Sequence, residues 1–72
     1  MEPPTTAELA LLKQLADTPH GNITAEILRE RQVRSEVVAA ATKAGRAYYD
    51  QAHEVLEITT AGRRALQLEA SS

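Results

Sequence analysis

Apolar positions near the start of the chain recur at helical spacing. Leu9, Leu12, Leu15 and Ala16 form one stripe, with Leu11 at its edge, which predicts an amphipathic helix. Thr5 stands before it as an N-cap and Glu8 follows three residues on, completing a T-x-x-E capping box. The helix should stop near Asp17, because Pro19 cannot continue it and His20-Gly21-Asn22 is turn chemistry. The stripe reads as core.

The next stretch, "NITAEILRERQ", predicts a short extended entry and a second helix. Thr24 is its N-cap, Glu26 sits in the positively polarised first turn, and Ile27 and Leu28 face inward. Ile23 either packs back on that helix or adds one short strand to a sheet. Val33 then stands alone among polar neighbours, and Ser35 caps a third helix, "SEVVAAATKAG". Val37, Val38, Ala41 and Ala44 point one way along it; Glu36, Ala39, Ala40 and Lys43 point the other. Gly45 fits the left-handed position that closes a helix.

Periodicity changes after Arg46. Ala47 to Asp50 is β-prone through Tyr48 and Tyr49, which must point to opposite faces, and His53 to Ile58 alternates. Gln51-Ala52 would be the tight loop of a hairpin. Leu56 and Ile58 share one face; His53, Val55 and Glu57 share the other. Thr59 or Thr60 then caps a closing helix from Ala61 to about Glu69, returning Ala65, Leu66 and Leu68 to the core and covering Leu56 and Ile58. Gly62, in its first turn, lets it approach the hairpin closely. The order predicts a mostly helical α+β fold: a three-helix bundle, a β-hairpin and a C-terminal helix.

Composition limits how such a chain holds together. At 72 residues it is one domain, read here as residues 5–69 with flexible tails at 1–4 and 70–72, near the lower size limit for an unaided core. It has no cysteine, so disulfides and thiolate metal sites are excluded, and a reducing cytoplasm is the natural setting. The core must rest on fifteen Leu, Ile and Val residues, each contributing roughly 1.5–3 kcal/mol when fully buried. No targeting or membrane segment is expected, since Glu8, Lys13 and Gln14 interrupt the apolar positions near the start.

Net charge is −2, but it is unevenly spread. Residues 29–46 carry Arg29, Arg31, Arg34, Lys43 and Arg46 against Glu30 and Glu36, a local balance of +3 between two acidic flanks. Such a cluster is either a solvated helix face or an anion-binding footprint. His20 and His53 are not at metal-ligand spacing. Nucleophilic triads, phosphate-binding loops, dinucleotide fingerprints and paired catalytic carboxylates are absent. An enzyme is the remote choice, and neither cofactor nor metal is expected.

Two helices joined by a brief turn, followed at once by a hairpin, resemble the winged helix-turn-helix family of small bacterial and phage regulators. The resemblance is carried by "NITAEILRERQVRSEVVAAATKAG" and by the exit "LEITTAGRRAL", where Ile58-Thr59-Thr60-Ala61-Gly62-Arg63 looks like the family's hydrophobic-Thr-x-x-Gly-Arg pattern. It spans about Thr5 to Leu66. It implies a DNA-binding transcription regulator with the helix around 35–44 in a major groove. Arg34, Ser35, Glu36, Ala39, Ala40, Lys43 and Arg46 would face double-stranded DNA, and Arg29, Arg31, Gln51 and His53 would add phosphate or wing contacts. That helix nevertheless lacks the strong base readers until Arg46. The alternative is a protein-binding winged helix, a phage-type inhibitor or adaptor using the same Ala39-Ala40 surface. A module this small binds DNA weakly alone, so a homodimer through the first or last helix is the expected remedy.

Overall fold

The computed structural model describes residues 3–70. Among them are four helices and a three-stranded antiparallel sheet: α1 (Thr6–Ala16), β1 (Asn22–Thr24), α2 (Ala25–Glu30), α3 (Ser35–Lys43), β2 (Ala47–Asp50), β3 (Val55–Ile58) and α4 (Thr60–Ala70). The class is mostly helical α+β, as the periodicities predict. Of the expected tails, residues 1, 2, 71 and 72 lie outside the described residues. Pro4 is half-buried and Ala70 is the last residue of α4, so neither behaves as tail.

Local chemistry explains where the helices begin. Thr5 Oγ1 accepts the Glu8 N–H at 3.1 Å, and Thr24 Oγ1 accepts the Ile27 N–H at 3.2 Å. α3 starts differently from expectation. Arg34, not Ser35, is its cap; it has no side-chain oxygen to offer and makes no side-chain cap bond, and Ser35 is the first helical residue. Thr59 stands just before α4 as its cap: its Oγ1 accepts the Gly62 N–H at 3.1 Å while donating to the Gly45 carbonyl at 2.6 Å. That one hydroxyl fixes the end of α3 to the start of α4.

Two helices stop by the same device. At the end of α3 the Gly45 N–H bonds Thr42 O at 3.1 Å and the Arg46 N–H bonds Ala41 O at 2.9 Å, with Gly45 at φ +76°. At the end of α2 the Gln32 N–H bonds Arg29 O at 3.0 Å and the Val33 N–H bonds Leu28 O at 3.0 Å, with Gln32 at φ +57°. Both are Schellman closures. The second turns the chain from α2 into α3 and brings Val33 against the core.

The sheet order is β1-β3-β2, so the last strand in sequence is the middle one in space. Ile23 is opposite Leu56, Tyr49 is opposite Leu56 on the other side, and Ala47 is opposite Ile58. These residues share the inner face; Tyr48, Glu57 and Asn22 align on the outer one. Ile23 thus takes the strand option, and of the two tyrosines Tyr49 packs on the core while Tyr48 is 60% exposed. The hairpin turn is longer than a two-residue loop. Gln51–Glu54 form it, His53 leaves the strand, and Glu54 takes φ +51°.

α1 is the hub, packing on α3, α4 and the sheet, whereas α2 joins mainly through β1. The expected bundle of the first three helices is thus loosened at α2. Leu11, Leu12, Leu15 and Leu56 are the largest fully buried side chains. It is α1, more than α4, that covers β3; Ala65 and Leu66 pack at the core's edge beside Ile58. Ile27 and Leu68, expected inside, are 37% and 67% exposed. Gly62 is buried because α4 passes directly over the backbone at Arg46. A Cβ there would collide with the Arg46 carbonyl oxygen and come within 2.8 Å of the Ile58 side chain.

Candidate nucleic-acid interface

α3 is held by one face only. Ala41 is fully buried and Val37, Val38 and Ala44 are half-buried, while Ser35, Glu36, Ala39, Ala40 and Lys43 are exposed. The backbone provides its first turn, with the Val37 and Val38 N–H groups bonding Arg34 O at 3.1 and 3.3 Å. At about 1.5 Å per residue its nine residues make a rod roughly 13 Å long. With alanines at its centre, the rod presents a slim outward surface, between an acidic residue at one end and a basic one at the other.

Arg34 reaches into solvent with its side chain 79% exposed. Its nearest acid is Glu36 at 3.8 Å, itself 75% exposed. So loose an exposed pair is worth little, and the guanidinium can be redirected to another anion. Arg31 is exposed but donates to Gln14 Oε1 at 2.8 Å, which ties it to α1. Both arginines line a shallow groove with Val33 and Gln32. Arg29 and Lys43 are exposed in the last turns of α2 and α3, where a cation also favours the helix dipole.

Arg46 corrects the expected site. It is only 8% exposed, and its Nη1 donates to Glu8 Oε2 at 2.9 Å in the interior. An ion pair desolvated in this way serves the fold and cannot neutralise a phosphate. The same contact corrects the reading of Glu8. Its N–H makes the cap bond to Thr5, while its carboxylate, expected to return to the helix start, turns inward to Arg46. Sequence reasoning missed this pair because nothing local links two residues 38 positions apart.

At the hairpin tip, Gln51 and His53 are exposed. His53 Nδ1 lies 2.7 Å from Asp50 Oδ2, and Asp50 Oδ1 accepts the Ala52 N–H at 3.0 Å. The hydrogen bond from the His53 ring holds the Asp50 carboxyl below its ordinary value of 3.8. The tip is therefore organised by its own side chains. Among the described residues, no cluster of three His, Cys, Asp or Glu could hold a metal ion, and no helix is long and apolar enough to cross a membrane.

The structure thus leaves Arg31, Arg34 and the outer face of α3 exposed, ties Arg31 to α1, and removes Arg46 from the candidate site. No family model, no curated protein and no solved structure matches this chain significantly.

Proposed function

We propose that the chain is a winged helix-turn-helix transcription regulator that sets α3 into the major groove of double-stranded DNA. One observation carries the reading: α3, the helix just before the hairpin, leaves a face bare that is slim at its centre, where Ala39 and Ala40 stand. A major groove about 12 Å wide admits such a rod. Ala39 and Ala40 would meet thymine methyl groups, Arg34 and Lys43 would neutralise phosphates at its two ends, and Ser35 with the first-turn amides would bind a further phosphate. The sheet order β1-β3-β2, with the hairpin after α3, supports the family assignment.

Duplex binding by the wild type beside Lys43→Glu, at two salt concentrations, tests this. The wild type should lose affinity with a log–log slope of several units, and the variant should bind roughly tenfold more weakly with a slope lower by about one to two. A folded wild type that retains no duplex at low salt refutes the proposal.

A second reading has its own support. With Arg46 inside, the outward face of α3 offers one acid, one base and two alanines, a neutral patch suited to packing against a partner protein's helix. A photo-crosslinking residue at Ala40 separates the two, because it would then label protein and leave DNA unlabelled.

A further inference from the structure

The outer face of the sheet belongs neither to the core nor to the surface proposed for DNA. Strand alternation and register turn six side chains onto it in two rows: Asn22, Glu57 and Tyr48, then Thr24, Val55 and Asp50. Tyr48 is 60% exposed, Thr24 is exposed, and the other four are half-buried. None of the six is a lysine or arginine, and two are carboxylates. Asp50 is already engaged by the Ala52 N–H and the His53 ring. Glu57 is not: among the described residues it has neither an ion pair nor a side-chain hydrogen bond.

Tyr48 stands directly opposite Glu57 on the neighbouring strand, which sets their Cβ atoms roughly 5 Å apart on one face. A lone exposed tyrosine needs no explanation, nor does a lone surface glutamate. Side by side they offer what a guanidinium recognises. The ring face attracts a cation, and the carboxylate can take two parallel N–H bonds from the planar fork. Asn22, on the other side of Glu57, adds an amide oxygen for a further N–H. An ammonium satisfies the charge but can neither stack nor fork. A phosphate meets two carboxylates here and no cation.

We infer that the outer sheet face is a docking surface for a partner protein, one of whose arginines stacks on Tyr48 and pairs with Glu57. The arginine is carried by a protein because the face is open. Beside the guanidinium it offers Val55 and Thr24, which only neighbouring residues of a partner chain can cover. The contact uses no residue assigned to DNA, so either reading stands if the other fails.

NMR shifts of the full chain, without nucleic acid, test the inference by titration with a blocked pentapeptide, Thr-Val-Arg-Val-Thr. A control peptide carries citrulline, which keeps the shape of arginine and lacks its charge. The arginine peptide should move Asn22, Tyr48 and Glu57 together, with a dissociation constant of about 1–10 mM. The citrulline peptide should bind roughly fivefold more weakly. Glu57→Gln and Tyr48→Leu should each weaken binding of the arginine peptide roughly threefold or more, whereas Tyr48→Phe, which keeps the ring, should leave it within about twofold. Free L-arginine should bind roughly threefold more weakly than the peptide, since it leaves Val55 and Thr24 uncovered. Circular dichroism should show all three variants folded, as their outward positions require. No shift at these three residues by about 20 mM peptide overturns the inference. So does an equal response to the citrulline peptide, or binding that Glu57→Gln or Tyr48→Leu leaves intact. Free arginine binding as tightly as the peptide overturns the protein partner.

Discussion

At Gln32 the backbone sits at φ +57°, where a side chain costs roughly 1–2 kcal/mol and glycine nothing. The closure of α3 uses Gly45 for the same geometry; the closure of α2 tolerates a strained residue. Gln32→Gly relieves that strain and returns part of the gain as unfolded-chain entropy. Urea denaturation should show a net stabilisation of about 0.5–1 kcal/mol; an unchanged or lower midpoint contradicts this account of the turn. Gly45 was readable in the sequence because glycine after a helical stripe is a local signal. Gln32 was not, since glutamine normally continues a helix and only the return of Val33 to the core forces the left-handed step.

Among the elements, the hairpin carries its own pH response. Asp50 accepts from the Ala52 N–H and from the His53 ring, and the folded carboxyl titrates below 3.8. A depressed carboxyl contributes stability in full above its unfolded value, and that contribution disappears as pH falls through the lower folded value. In an NMR titration the Ala52 and His53 amide shifts should move together with a midpoint below 3.8, and Asp50→Asn should abolish the transition. A midpoint at or above 3.8 counts against the turn as described. The elements themselves were legible wherever a side chain answers to a neighbouring backbone group, as with Thr5, Thr24, Pro19 and Gly45. What an element faces was less so. Ile27 and Leu68 fit helical stripes as well as Leu28 and Leu66 do, yet only the packing partner decides which of them is covered. His53 alternates like a strand residue, but the bonds to Asp50 draw it into the turn.

The whole molecule is compact, with a radius of gyration of 11.2 Å, close to the ~11 Å expected for this length. Total stability for such a chain is only about 4–11 kcal/mol, so a single buried contact can decide folding. The Glu8–Arg46 pair joins the first helix to the chain entering the sheet. Arg46→Met strands a buried carboxylate and should cost about 3–5 kcal/mol, whereas Glu8→Leu with Arg46→Met should recover most of it. Thermal melts of the two variants check this; equal losses would show that the pair is not desolvated as described. No sequence pattern marks this contact, and it is why the positive cluster at residues 29–46 overstates the charge on the surface. The strand order has a further consequence for biosynthesis. Because β3 lies between β1 and β2, Ile23 and Tyr49 both wait for Leu56 to be made. A nascent chain leaving the ribosome can coil its early helices, but it cannot close the sheet until β3 has been translated. Assembly of the sheet is held back until its middle strand emerges, and fragments that stop short of β3 leave β1 and β2 unpaired.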